Sequence, residues 1–556
     1  HFRYLNLRLF LLILLPILVF PQKIDLKKIE LGKRNEKYRV WVYFIDKQGS
    51  EPILLNSKTV QRRMKNGISN SSGWYDTPVS PTYKNAITSM GLKIENESRW
   101  LNAISLLCTR AHLDKLIKLH FIERIEPVLG FRSKPLTEHM EFSAYSRDDI
   151  DYGYAQEQTE QINVHELHSQ GFTGEGTRIL VMDTGFDLSH NALIDINVVA
   201  QWDVINDDYE TANETEEEES INQDYHGTAV LSTIAANAPG ELVGIAFDSE
   251  FLLAKTEDVS QEVQQEEDNY VAGLEWGEEN GADVVTTSLG YLDWYEYDDM
   301  DGNTAVTTIG VDIAAGLGMV CVTAAGNSGN DEWYYIIAPA DADSVISVGA
   351  VNASGEITSF SSHGPTADGR IKPEVCARGS QTWCINPNST ENYSQLSGTS
   401  LACPLVGGVA ALIIQAKPDW TAMHVREAIM MTASMADSAN NDYGHGILNA
   451  AAAIEYEVMS ILEDNNSIPK KYSILKAYPN PFNPSLNIEI TVDVLSHLTV
   501  DIFSYNGKYI CTIFDQIVEN KFQKMEWNPN SLPSGIYFII SNLDGQRIYK
   551  KVTYIK

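Results

Sequence analysis

The 556-residue chain is short of basic residues: 41 Lys and Arg stand against 75 Asp and Glu, a formal charge of -34. A phosphate backbone needs a basic face, so nucleic acid is excluded as a partner class. Cysteine is scarce, with six residues in all, which excludes a disulfide scaffold, and no Cys/His spacing matches a zinc site. Cys321 and Cys403 sit in apolar runs and read as buried small side chains. Cys376 and Cys384, in a loop-like stretch, are candidates for one disulfide after export. The apolar run from Leu9 to Phe20 is too short for a bilayer crossing, which takes about 20 residues. Behind Arg3 and Arg8 it reads as the core of a signal peptide, residues 1–22, so the protein is expected to be exported. No internal repeat is present.

What remains divides by composition. Residues 23–136 carry two alternating strand-like runs, Tyr38 to Asp46 and Trp100 to Cys108. A helical spacing of apolar residues between Arg110 and Phe121 and a further strand, Ile122 to Val128, follow. That order predicts a small α+β domain. Residues 137–161 are polar and read as a linker and processing region. Residues 162–458 alternate apolar strands with helical runs, which predicts α/β architecture around a mainly parallel sheet. The expected strands are Arg178–Met182, Phe251–Ala254, Ala282–Thr287, Met319–Thr323 and Val345–Val348. Residues 459–471 form a polar joint, and residues 472–556, with short alternating strands broken by NPFNP, NG and PSG turns, predict a small β-sandwich. The acidic run Glu216 to Glu219 reads as a solvated loop.

Four polar motifs in the α/β section fall at strand or helix ends, where open sheets collect functional groups. RILVMDTG places Asp183 just past a buried strand, and DYHGTAVLSTIAA places His226 at a helix start. MVCVTAAGN places Asn327 beyond another strand, and GTSLACPLVGGVAALIIQA places Ser400 in the first turn of an all-apolar helix. Each residue type meets a need of acyl transfer. A serine hydroxyl needs an adjacent base, histidine supplies one near neutral pH, and a carboxylate fixes the histidine's tautomer. A developing oxyanion needs donors, which the Asn327 amide and the Ser400 N–H at a helix start can provide. The G-x-S-x-G elbow of the other common serine hydrolases is absent at Ser400, which disfavours that class. A catalytically dead binding scaffold is disfavoured by the presence of all four groups together.

DTGFDLSH, HGTAVLS, AAGN and GTSLACP resemble the four signature boxes of the subtilisin family over about Gly176 to Ala450, in the chain order Asp, His, Ser. The resemblance implies a subtilisin-like serine endopeptidase. In it Asp183 orients, His226 is base and then acid, Ser400 attacks and Asn327 holds the oxyanion. It also implies that Ser288, Leu289 and Gly290 pair with an extended polypeptide substrate and that Ala325 and Gly326 help wall the primary pocket. Residues 23–136 resemble the family's propeptide, implying a zymogen whose own prosegment inhibits it until cleavage between about Val128 and Gln161. YPNPFNPS, SYNGK, LPSGIYFI and the tail KKVTYIK resemble a type IX secretion sorting domain, implying passage through the periplasm to secretion or the cell surface.

No cofactor is required by this chemistry and no metal ligand is assigned. Structural calcium is a family expectation, and DDMDGN (Asp298 to Asn303) lacks full calcium-loop spacing. Asp331 and Glu332, after the oxyanion box, would favour basic substrate side chains if they reach the pocket rim. Where the family commonly has methionine after the nucleophile, this chain has Leu401. A sulfoxide cannot form there, so peroxide should inactivate the wild type slowly and Leu401→Met quickly. Equal loss of activity in a timed peroxide assay would overturn that expectation.

Overall fold

The computed structural model describes residues 24–25, 27–68, 73–131, 137–139, 150–259, 265–292 and 295–457. In the C-terminal section it describes 472–478, 482, 485–492, 496–504, 509–518, 521–529, 532, 535–543 and 546–554. The signal-peptide reading and the polar joint at 459–471 lie outside these residues. Two compact units result, His1–Val458 and Met459–Lys556.

The N-terminal section forms a five-stranded antiparallel sheet. Lys37–Phe44 runs down its centre, with Ala103–Cys108 and Ile122–Pro127 on either side and Ile94–Ser98 beyond. Three helices, Ser57–Lys65, Pro81–Thr88 and Arg110–Leu116, accompany it. Val40, Val42, Phe44, Ile104 and Leu106 point into its core together with Tyr83, Ile87, Leu113 and Leu116. Trp41, Tyr43 and Ala103 lie on the other face, the period-2 alternation of a strand. The helix at Arg110 stops at Leu116, short of the expected Phe121, and two of the three helices have no counterpart in the sequence reading.

The second part is a seven-stranded parallel sheet. Its order is Val375–Arg378, Ile346–Val351, Val320–Ala324, Val284–Thr287, Arg178–Asp183, Glu250–Lys255 and Asn197–Asp203. All five predicted strands are present, and the two unpredicted ones are the edges. Along the central strand, Ile179 and Val181 pack against the helices Tyr225–Ala235 and Thr399–Ala416. Leu180 and Met182 face the helices Glu267–Glu279 and Val306–Gly316. Both faces are thus covered, as parallel sheets require. The helix Thr399–Ala416 is long and apolar enough to cross a membrane, but 89% of it is buried inside the protein, as a core helix is.

Three expectations need correction. The polar stretch read as a linker to residue 161 belongs, over residues 150–161, to the α/β core: Tyr152 and Ala155 are buried in it and Gln156–Gln161 is helical. Cys376 and Cys384 are free thiols rather than a disulfide. Cys376 Sγ lies 3.5 Å from the Tyr443 carbonyl and Cys384 Sγ 3.5 Å from that of Ser394, each buried beside its own partner. The Glu216–Glu219 run is not a loop but the first turn of a helix, Glu216–Ile221, with Thr215 and Glu218 forming a capping box.

The C-terminal unit holds two antiparallel sheets of three and four strands. Leu486, Ile488 and Ile490 of one meet Leu498, Val500, Ile502 and Ile539 of the other in a shared apolar core, the expected sandwich.

Candidate active site

Three neighbouring parallel strands, Arg178–Asp183, Val284–Thr287 and Val320–Ala324, end side by side, so Asp183, Ser288–Gly290 and Ala325–Asn327 emerge along one edge. Asp183 is fully buried. Its Oδ1 accepts the Thr184 N–H at 2.8 Å and Nδ1–H of His226 at 2.6 Å. His226 can come this close because Gly227 has no side chain: a Cβ there would stand 2.9 Å from Asp183 Cβ and would strike the Gly185 carbonyl. The helix carrying His226 is tied further by Gly227 N–H donating to Thr184 Oγ1 at 3.2 Å and by the Asp187 N–H donating to Thr228 Oγ1 at 2.8 Å. With Nδ1 committed to Asp183, Nε2 is the nitrogen left to act as base.

His226 has its pKa raised above the ordinary 6.5. Burial opposes the imidazolium, but the Asp183 charge and its hydrogen bond together outweigh that penalty. Glu257, two residues past the strand paired with Asp183, is buried, and burial first and the Asp183 charge second push its carboxyl well above the usual range. A neutral Glu257 spares the site a second negative charge beside Asp183. Nothing in the sequence around Glu257 marks it out; its nearness to Asp183 follows from the pairing of Lys255, two residues earlier, with Asp183 in the sheet.

Ser400 sits in the first turn of its helix and is tied to Ser288 twice. Pro404 has no N–H to give the Ser400 carbonyl four residues back, and the Ser288 hydroxyl takes that carbonyl instead, at 2.8 Å. The Ser400 Oγ in turn donates to the Ser288 carbonyl at 3.3 Å. Asn327 Oδ1 accepts from both the N–H and the hydroxyl of Thr399, at 2.8 and 2.9 Å. This fixes the flip of the amide and leaves its NH2 end for an incoming group. Gly326 N–H completes the tie to Thr399 Oγ1 at 3.3 Å. Thr399 is thus a positioning residue that motif reasoning passed over, although it stands within the GTS box.

Among the described residues, acidic side chains converge at Asp203, Asp208 and Glu214, with ligand atoms all within 4.8 Å of one another, and not at Asp298–Asn303. The buried Lys255 ammonium already lies 2.8 Å from Asp203 Oδ2.

The sequence matches the Subtilase family over residues 174–446. It matches a Peptidase S8 propeptide domain of Bacteroidota over residues 39–141 and a Secretion system C-terminal sorting domain over residues 476–556. It is 32% identical over 378 residues to Subtilisin E of Bacillus subtilis (strain 168), spanning 67% of this chain and 86% of that protein. It is 36% identical over 298 residues to the Subtilisin of Bacillus pumilus, 53% of this chain and 97% of that one. A Thermostable alkaline protease of Halalkalibacterium halodurans is 31% identical over 299 residues, 53% of this chain and 72% of its own length.

Proposed function

Since this chain belongs to the subtilase family, we propose that Asp183, His226 and Ser400 are the catalytic triad of a secreted serine endopeptidase, with Asn327 at the oxyanion. The protein is made with a propeptide and carries a C-terminal sorting domain that directs it through the periplasm to secretion or the cell surface. The observation that carries the triad is the 2.6 Å bond from His226 Nδ1 to the buried Asp183 carboxylate, which sets the tautomer general base catalysis needs. In this reading the Ser400 hydroxyl turns from the Ser288 carbonyl to His226 Nε2, loses its proton there and attacks the substrate carbonyl. The oxyanion gathers the Asn327 amide and the Ser400 N–H. His226 then hands its proton to the leaving amine, and water repeats the sequence on the acyl-enzyme. Ser288, Leu289 and Gly290 pair with the substrate backbone, while Ala325 and Gly326 wall the pocket beside it.

The end of the prosegment and the residues just after it lie along the catalytic part, and in this reading the prosegment inhibits until the chain is cut between them. Gly130–Phe131 pairs antiparallel with Gln265–Glu266, and Thr137–His139 pairs antiparallel with Gln395–Ser397, which leads directly into the Ser400 turn. These two pairings support a maturation cut between Phe131 and Thr137, with the prosegment ending near residue 136 and the mature enzyme running on from there to a joint at 459–471 and a sorting domain at 472–556. Calcium takes six to eight oxygens. The group at Asp203, Asp208 and Glu214 offers three carboxylates, one already paired with Lys255. It does not fit that ion, and no calcium ligand is assigned.

A fluorophosphonate probe tests the reading. It should label the self-processed enzyme on the peptide containing Ser400, the mature N-terminus should fall between residues 131 and 137, and Ser400→Ala should take no label and stay full length. Processing of the chain without any label on Ser400 would remove that serine from the reaction.

A further inference from the structure

The crevice that runs up to Ser400 has a floor as well as walls. One wall is Ser288–Gly290, joined to Ser400 by the two hydrogen bonds between Ser288 and the nucleophile. The other is Ala325–Gly326, joined to the same helix through Thr399. Between them the chain folds back after the Asn327 turn and crosses beneath. Ile337 N–H donates to the Ala325 carbonyl at 3.3 Å, and the Ala338 carbonyl accepts the Tyr291 N–H at 2.7 Å. The segment Ile337–Ala338 is therefore stitched to both walls.

Its side chain goes into the gap. A Cβ built on Gly290 would stand 2.7 Å from Ile337 Cγ1 and would strike its Cδ1. A Cβ on Gly326 would stand 3.0 Å from the same Cγ1 and 3.2 Å from Cδ1. The end of one isoleucine thus touches both glycine faces at once, and it is 9% exposed. The glycines open the crevice and Ile337 fills it from below. Asp331 and Glu332 are exposed on the turn before it, so what meets an entering side chain at the floor is hydrocarbon and not carboxylate.

We propose that Ile337 sets the primary specificity of this enzyme by making the pocket shallow, so that it cleaves after small uncharged residues such as Ala, Ser or Gly and rejects aromatic and long basic ones. The proposal rests on the peptidase reading of the site given above. A substrate side chain on the acyl side must lie next to the attacked carbonyl, hence between the two walls that converge on Ser400. A ring entering there would meet Ile337, whereas a methyl group would stop above it. Each methylene gained or lost in such a pocket changes selectivity by about 10- to 200-fold.

The test uses self-processed enzyme and a peptide series identical except for Ala, Phe or Lys before the scissile bond. Wild type should favour Ala over Phe and over Lys by about 10²-fold in kcat/KM. Ile337→Gly, and Ile337→Ala should the glycine variant fold poorly, should raise the Phe-to-Ala ratio of kcat/KM at least about tenfold. Wild-type cleavage of the Phe or Lys peptide as fast as the Ala peptide overturns the proposal, as does an unchanged Phe-to-Ala ratio in the variants. Fluorophosphonate labelling at Ser400 in the same preparations separates the two layers. Label with an unchanged ratio defeats Ile337 alone, while no label and no cleavage of any peptide defeats the peptidase reading beneath it.

Discussion

Asp183→Asn should lower kcat by about 10⁴-fold with little change in KM. In the proposed triad Asp183 does not touch substrate; it acts through His226, to which it is hydrogen-bonded, and the charge it carries is needed only when the imidazolium forms. The asparagine amide has two ways to sit. With its NH2 in place of Oδ1, a donor would face the N–H of Thr184 and Nδ1–H of His226, and both bonds, 2.8 and 2.6 Å in the wild type, would be lost. With its NH2 in place of Oδ2, those bonds survive, but the new donor lies where Oδ2 is buried without a hydrogen-bond partner among the described residues. Either way the charge is gone. The pH profile should report the same loss. In the wild type the acid limb of kcat/KM should have its midpoint above 6.5, because the Asp183 field and bond outweigh burial in favour of the imidazolium. Activity needs the neutral base, so it is lost as pH falls through that midpoint. In Asp183→Asn the charge that opposed burial is gone, and the residual activity should titrate at lower pH than in the wild type. A variant retaining a tenth of wild-type kcat, or one whose midpoint does not move downward, would show that the carboxylate does not serve His226.

Much of this site was legible because its parts are local. An aspartate ending an apolar strand, a histidine and a serine each opening an apolar helix, and an asparagine after Ala325–Gly326 are short patterns whose chemistry is shared. The parallel sheet then brings three of the strand ends together without further instruction. What the sequence hid depends on distant partners. Asn197–Asp203 and Val375–Arg378 are edge strands, one half-exposed and one only four residues long, so neither shows a clear period. Residues 150–161 look like a linker because they are polar, yet two of their polar side chains find partners inside: the Tyr152 hydroxyl bonds His168 at 2.7 Å, and Gln158 bonds both the N–H and the carbonyl of Trp383. The helix at Glu216 had a readable signal, Thr215 three residues before Glu218, that the acidity of the run obscured. Ile337 belongs to no motif at all; the role proposed for it comes from a fold-back that places it between Gly290 and Gly326.

Glu278→Gln should loosen the prosegment from the catalytic part by roughly 10²- to 10³-fold in inhibition constant, while leaving the activity of the released enzyme unchanged. Glu278 lies on the helix Glu267–Glu279, and its carboxylate binds Arg62 and, at 3.0 Å, Arg63 of the prosegment helix Ser57–Lys65. The Arg62 and Glu278 side chains are both 0% exposed. Removing one partner of a buried pair costs about 3–5 kcal/mol, because the other charge stays buried and unpaired. Arg63 retains Asp76 at 2.8 Å, and Arg62 retains the carbonyls of Ala282 and Leu317, which places the expected effect toward the lower end. Arg62→Met combined with Glu278→Leu removes both charges, so it should restore much of the lost affinity where Glu278→Gln alone does not. One turn earlier on the same helix, Glu275 accepts Ser98 Oγ at 2.5 Å and the N–H groups of Arg99 and Trp100 at 3.1 Å each, with the Arg99 guanidinium at 3.7 Å. Burial pushes its carboxyl up to about 7 despite those partners. Once the prosegment leaves, Glu275 returns to water and to an ordinary value of about 4.3. Docking therefore takes up a proton: it is tightest below the released value and weakens by up to about tenfold per pH unit until the bound value is passed. The inhibition constant of cleaved prosegment, measured from pH 5 to pH 8, should rise toward neutrality in the wild type and flatten in Glu275→Gln. A profile equally steep in both would detach the pH dependence from Glu275, and an inhibition constant unmoved by Glu278→Gln would show that the prosegment is held by its apolar face, Trp41, Tyr43 and Val128, and not by charge.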